Sequence, residues 1–273
     1  SSAASDVYKR QASKAIFMSL FLDDRMLRDF ATEDFTLQQP FPWFSFQDVL
    51  RPEAFQALYD HFPSLAMFEK HNGIQRAYGQ RPHNRYYLAF EQSIYNDRAA
   101  GSEGVVALSD LPVVWQQFML ELQGNSEYAT FAKRMLGVED FVVRFAWHVG
   151  VAGSEVSPHR DSHTKLGTHI FYFNTSADWQ PEWGGSILVL KDKQVPQDNP
   201  ELTDFAQAIG CDIRDNRSFL FKNTENAWHG VEKLTCPEGH YRRLFNVVFE
   251  PRKRADEARP GKPSGWRRLF RAA

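Results

Sequence analysis

Cysteine is almost missing from this sequence: Cys211 and Cys236 are the only two in 273 residues. Two thiols are too few for a disulfide framework, and they lack the paired spacing of a structural zinc site. They are expected to be ordinary thiols of a protein in a reducing, cytoplasmic setting. An excess of one charge sign is also absent, with 34 acidic against 32 basic residues and a formal charge of −2. No global field favours nucleic acid or an anionic membrane, so no nucleic-acid partner is expected. No apolar run reaches the roughly 18 to 20 residues that a membrane-spanning helix needs. Internal repeats are lacking, as is any low-complexity stretch ahead of the C-terminal tail. Residues 1–17 lack the charged, then apolar, then small-residue order of a secretory signal. They are expected to be a non-native or disordered leader, with a natural start near Met18.

Aromatic residues are plentiful, 14% of the chain and rich in Phe, which suits a well-filled interior rather than disorder. Apolar spacing predicts one or two packing helices between Ala15 and Phe30 and an edge strand at Phe41–Phe46 bounded by prolines. A helix opens at Pro52 and buries Phe55, Leu58 and Tyr59. Residues 70–104 are polar and basic, with Arg76, Arg81, His83, Arg85, Tyr86 and Tyr87. They are expected to form a solvated loop with one strand at Tyr86–Phe90, the alternative being a lid over a substrate. Two amphipathic helices follow, Pro112–Gln123 and Glu127–Leu136.

From residue 140 the period changes. Phe141–Val149, Ser186–Leu190, Ser218–Phe221 and Leu244–Phe249 read as strands, with a helix expected at Glu201–Ile209. Short strands separated by turn signals suggest two packed antiparallel sheets, a jelly roll of the cupin type. The expected organisation is therefore a leader (1–17), an N-terminal α-helical elaboration (18–139), a mainly β core (140–250) and a basic tail (251–273).

Pro158-His159-Arg160-Asp161 sets an imidazole and a carboxylate two residues apart, where an extended backbone can turn both the same way. His229, at the end of a second apolar run, offers a third ligand. Two histidines and one carboxylate cap one face of an octahedral iron and leave three positions open, the arrangement of non-haem Fe(II) oxygenases. His-Arg-Asp also begins the protein-kinase catalytic loop, but the Asn required five residues after the Asp is Leu166 here, and no glycine-rich nucleotide loop is present.

The order of strand, His159-x-Asp161, a strand ending Tyr172-x-Asn174, Gly184-Gly185, a strand ending in His229 and Arg242-Arg243 resembles the Fe(II)/2-oxoglutarate-dependent dioxygenases, in particular their prolyl-hydroxylase-like branch. The resemblance covers about residues 140–250. It implies a double-stranded β-helix and the cofactors Fe(II), 2-oxoglutarate and O2, with His159, Asp161 and His229 as catalytic metal ligands. By the same resemblance, the far carboxylate of 2-oxoglutarate meets a basic residue on the last strand. Arg242 is chosen over Arg243, because it shares parity with Asn246 whereas Arg243 aligns with Phe245 and Val247. Tyr172 would donate to that carboxylate and Thr168 would line the same pocket. Trp147 or His148 stands where the family often places a further contact, and alternation leaves either possible. The implied activity hydroxylates an unactivated carbon and releases succinate and CO2. The alternative is a non-catalytic or 2-oxoglutarate-independent cupin-like metal-binding protein.

A small polar or anionic molecule is the expected substrate, from the Arg and Tyr content of the two stretches that follow, with a protein substrate as the alternative. Residues 70–104 and 191–216 are expected to build its pocket. The tail around Trp266, Leu269 and Phe270 is basic. It is expected to be disordered, with a weak membrane or partner contact as the other possibility.

Overall fold

The computed structural model describes residues 19–73, 84–95 and 98–252. The expected leader, Met18, Arg76, Arg81, His83 and the tail beyond Arg252 lie outside the described residues. The elements in chain order are α1 (Asp24–Asp29), α2 (Thr32–Thr36), β1 (Trp43–Gln47), α3 (Pro52–Asp60), β2 (Glu69–His71), β3 (Arg85–Phe90) and β4 (Val105–Val106). They continue with α4 (Val113–Gly124), α5 (Ser126–Leu136), β5 (Val142–Gly150), β6 (Val156–His159), β7 (Gly167–Tyr172) and β8 (Ile187–Lys193). The last four are β9 (Phe205–Cys211), β10 (Arg217–Lys222), β11 (His229–Val231) and β12 (Arg242–Glu250).

Two sheets form the core. The larger has the order β1-β10-β7-β12-β5-β3-β2, with β4 beside β3, and the smaller has the order β6-β11-β8-β9. All pairings are antiparallel except β3 with β4. This is the mainly β jelly roll with flanking helices that the strand pattern implies. Strands β1 to β4, all from the segment before residue 140, extend the larger sheet at both ends.

Strict alternation sorts the side chains of the larger sheet. On β12, Phe245, Val247 and Phe249 join Trp115, Phe118, Phe131 and Met135 of α4 and α5 in one apolar cluster. Phe145 and Trp147 of β5 and Phe171 of β7 lie in the same cluster, with Trp115 and Trp147 ring centroids 5.4 Å apart. Each fully buried aromatic removes roughly 150–250 Å² from water, on the order of 4–6 kcal/mol gross at about 25 cal/mol per Å². The helices are thereby fixed to one face, leaving the opposite parity to face the second sheet. There, Ile170, Tyr172, Phe219, Phe221 and Leu244 meet Ile187, Val189 and Val231.

Local signals set the helix ends. Asn125 caps α5 by accepting from the Tyr128 N–H at 2.8 Å, and left-handed Gly137 closes it. Glu121 of α4 accepts backbone N–H bonds from Leu20, Phe21 and Leu22, so that segment enters extended. The helix expected over Ala15–Phe30 is accordingly confined to Asp24–Asp29, with Ile16 and Phe17 outside the described residues.

Two further expectations are corrected. Glu201–Ile209 is not a helix: a short 3-10 turn at Leu202–Asp204 leads into strand β9. Leu202, Phe205 and Ile209 have helix-compatible spacing, but β9 pairs with β8 from Phe205↔Lys193 to Cys211↔Ile187, satisfying backbone groups that β8 would otherwise expose. Tyr86–Phe90 is a strand as expected, yet it lies inside the sheet, between β5 and β2.

Candidate functional site

A cavity lies between the sheets, with about 970 Å³ of empty space once its open mouth is counted. Its wall on the larger sheet is the inward parity of four strands: Arg85 and Tyr87 of β3, Arg144, Ala146 and His148 of β5, Thr168 and Ile170 of β7, and Arg242, Leu244, Asn246 and Val248 of β12. His159, Asp161 and His229 line it as well.

The two histidines are brought together by strand pairing. His159 ends β6 and stands opposite His229, which opens β11, with ring centroids 4.3 Å apart. Each ring is pinned in the same manner. Nδ1 of His159 lies 2.9 Å from the Ser157 carbonyl, and Nδ1 of His229 lies 2.9 Å from the Ala227 carbonyl. With Nδ1 donating to a carbonyl, Nε2 is the lone-pair nitrogen, which is the tautomer a metal requires.

Asp161 supplies the carboxylate. The ligand atoms of His159, Asp161 and His229 all lie within 4.8 Å of one another. Lys165 donates to Asp161 Oδ1 at 2.7 Å, and Thr168 Oγ1 donates to Oδ2 at 3.3 Å. Burial opposes ionisation of Asp161, but the charge and hydrogen bond of Lys165 work against it, and the carboxyl is held below the usual carboxylate range. The donor set, two imidazoles and a carboxylate on one side of a cavity, fits Fe(II).

Arg242 is 6% exposed. Its Nε donates to the Gly185 carbonyl at 2.6 Å, and its guanidinium lies 5.3 Å from the Tyr172 ring centre. Gly185 has φ +91°, and a Cβ there would come within 3.1 Å of Arg242 Cδ, so the glycine makes room for the arginine. No acidic group pairs with Arg242 among the described residues. Burial pushes its pKa down. A buried, uncompensated guanidinium of this kind suits an anionic ligand.

Tyr172 is fully buried beside Arg242, behind the cavity wall, and its hydroxyl has no hydrogen-bond partner. Arg243 has the opposite parity: it pairs with Asp178 and lies over the Tyr59 ring at 4.4 Å.

The alternation that sequence alone left open places Trp147 under the helices and His148 in the cavity. His148 Nδ1 is buried without a partner, and burial lowers its pKa well below the ordinary value. Asn246 Oδ1, Tyr87 OH, Arg85 Nε and Asn84 Oδ1 are likewise buried and unpartnered on the same wall. His169 faces the helices instead, between the Tyr128 hydroxyl and Ser218 Oγ at 3.0 Å each. Residues 84–95 contribute to the cavity, whereas 191–216 do not, because β9 lies at the far edge of the smaller sheet. Of that stretch, Asp198 lines an adjoining cleft together with Arg160 and Trp228.

Residues 144–249 match the 2OG-Fe(II) oxygenase superfamily. No curated protein sequence matches the chain at a significant level. Among solved structures, a prolyl 4-hydroxylase from Pseudomonas putida superposes with a TM-score of 0.51 at 14% identity, covering 83% of this chain and 100% of its own. A prolyl 4-hydroxylase from Phytophthora capsici gives 0.52 at 12% identity, covering 87% of this chain and 68% of its own. HygX from Streptomyces hygroscopicus, solved with nickel, 2-oxoglutarate and hygromycin B, gives 0.53 at 11% identity, covering 81% and 88%. At these identities the likeness is one of fold.

Proposed function

We propose, from the match of residues 144–249 to the 2OG-Fe(II) oxygenase superfamily, that His159, Asp161 and His229 hold Fe(II) while Arg242 and Tyr172 hold the far carboxylate of 2-oxoglutarate. The observation that carries the assignment is the meeting, in one cavity, of a two-histidine, one-carboxylate cluster and a buried arginine with no acidic partner among the described residues. Bound Fe(II) would supply the dioxygen chemistry that couples decarboxylation of 2-oxoglutarate, to succinate and CO2, with hydroxylation of an unactivated carbon.

The chain's own residues bind and orient. The Ser157 and Ala227 carbonyls fix the two imidazole tautomers, and Lys165 and Thr168 hold the Asp161 carboxylate ionised and aligned. Thr168 lines the cosubstrate side of the cavity as well. The Gly185 carbonyl holds Nε of Arg242, leaving its outer N–H groups for a carboxylate. Tyr172 lies behind the cavity wall against the Arg242 guanidinium, and the second-donor role given to its hydroxyl requires it to reach the carboxylate past that side chain. His148 and Asn246 offer buried polar atoms without partners to the same cavity.

A small polar molecule is the proposed substrate, because the cavity is enclosed by β3, β5 and the smaller sheet and lined by polar atoms without partners. The two cysteines are free and buried, which supports a reducing, cytoplasmic setting. Among the described residues no helix is long and apolar enough to cross a membrane.

The test is succinate formation from 2-oxoglutarate with added Fe(II) and ascorbate under air. The wild type is expected to release succinate even without its substrate, through slow uncoupled turnover, and Asp161→Ala to release none. Equal rates for the two proteins would overturn the assignment.

A further inference from the structure

We propose that the substrate carries an anionic group, a carboxylate, sulfate or phosphate, that docks on Arg85 at the β3 wall of the cavity; this rests on the oxygenase assignment and extends it to substrate class. The inference starts from the cavity's charges. Among the described residues four Arg and Lys side chains line it, Arg85, Arg144, Lys165 and Arg242, against two acids, Asp161 and the exposed Glu155, neither of which pairs with Arg85. Two already have acids, since Arg144 Nε lies 3.0 Å from Glu250 and Lys165 lies 2.7 Å from Asp161. Arg242 is assigned to the cosubstrate. Arg85 remains, with no acidic partner among the described residues.

Strand register separates Arg85 from Arg242. Gly150 pairs with Arg242 on one side, and because Tyr86 pairs with Val149 on the other, Arg85 falls beside Gly150. The two arginines thus flank a residue with no side chain, two strand spacings or about 10 Å apart at their Cα atoms. They are distinct positions on the wall, and a second anion can occupy the gap.

The surroundings of Arg85 are built for an acceptor. Its Nη2 donates to the Tyr95 hydroxyl at 2.9 Å, which fixes the guanidinium, while its Nε is buried with no partner. The Tyr87 hydroxyl is also buried, with the Arg144 and Arg85 guanidinium groups near it but no acceptor for its proton, and Tyr87 and Tyr95 pack edge to face with centroids 5.0 Å apart. The nearest acid on β2, Glu69, is already engaged by His71 at 3.2 Å and Arg98 at 3.1 Å. Donors held in a cavity without acceptors are costly, and an anion offers acceptors to the Arg85 Nε and the Tyr87 hydroxyl together. A neutral substrate would leave the Arg85 guanidinium without an ion partner in the cavity wall.

The test uses the Fe(II)- and 2-oxoglutarate-loaded protein under argon, so that the Arg242 position is already filled. Sodium phosphate, sulfate and acetate are titrated separately at constant ionic strength, with chloride as the control, and binding is followed by calorimetry and thermal shift. Saturable binding of at least one of the three is expected, and which one responds identifies the anion class. Arg85→Met should weaken it by about tenfold to a hundredfold, the usual range for losing a charged hydrogen-bond donor, while leaving the visible absorption of the iron and 2-oxoglutarate chelate unchanged. That absorption also reports that the variant is folded. Tyr87→Phe should weaken binding severalfold in the same direction. No saturable binding to the loaded wild type, or equal binding to Arg85→Met, would overturn the proposal. Loss of the chelate absorption in Arg85→Met alone would instead place Arg85 in the cosubstrate site. Lack of that absorption in the wild type would overturn the oxygenase assignment, and this proposal with it.

Discussion

Arg242 and Gly185 are made for each other: the arginine's Nε donates to the glycine's carbonyl at 2.6 Å, and the glycine's missing Cβ is what lets the side chain pass. A turn between β7 and β8 thereby aims a side chain of β12. The carbonyl occupies one guanidinium edge, so the remaining N–H groups are directed by the backbone rather than by a flexible partner.

Gly185→Ala should therefore damage cosubstrate binding from outside the metal centre. The substitution strains a φ of +91° and sets a methyl within 3.1 Å of Arg242 Cδ, at a cost of about 1–3 kcal/mol for a residue forced into such a conformation. Metal affinity should be unchanged and the apparent KM for 2-oxoglutarate raised about tenfold, measured as succinate formed against cosubstrate concentration. Equal KM values would show that Arg242 does not depend on this turn.

The arginine pair should separate by function. Arg242→Met is expected to weaken 2-oxoglutarate binding by about tenfold to a hundredfold, the loss of a charge-assisted contact, with little change in melting temperature. Arg243→Met should do the reverse, because Arg243 is tied to Asp178 and the Tyr59 ring: melting temperature falls and cosubstrate affinity holds. Isothermal titration and a thermal melt on both variants give the comparison.

His169 should make the fold acid-sensitive. Burial lowers its pKa from 6.5 to about 3, so the unfolded chain takes up a proton near pH 6.5 that the folded chain refuses. Its contribution is fully present above pH 6.5 and declines as pH falls toward 3. With a slope that approaches about 1.4 kcal/mol per pH unit, the loss between pH 6.5 and 4.5 is about 2 kcal/mol. His169→Gln, though less stable at neutral pH, should show a correspondingly shallower fall in urea-unfolding free energy across that window. Parallel curves would contradict the assignment.

The clustering of His159, Asp161 and His229 and the inward parity of Arg242 were legible, because period-2 alternation is a strong signal on strands buried on both faces. Arg242 and Asn246 share a parity, Phe245 and Val247 the other, and the two sheets and the helices sort them accordingly. The position of His148 was not legible, since Trp147 and His148 can each be buried and only the sheet's neighbours decide which face is apolar. Arg85 was hidden differently. Its polar surroundings in sequence resemble a solvated loop, and only the pairing of β3 with β5 turns it into a cavity wall. The stretch Leu202–Ile209 misled because three apolar residues fit a helical period, while the open edge of β8 favours a strand.

The most direct measurement is the visible absorption of metal-free protein given Fe(II) and then 2-oxoglutarate under strict exclusion of oxygen, with Asp161→Ala and Arg242→Met alongside. A weak charge-transfer band that forms only when both are present, vanishes in Asp161→Ala and needs far more 2-oxoglutarate in Arg242→Met is the predicted result. Confirmed iron binding at His159, Asp161 and His229 with no such band at any 2-oxoglutarate concentration would contradict it.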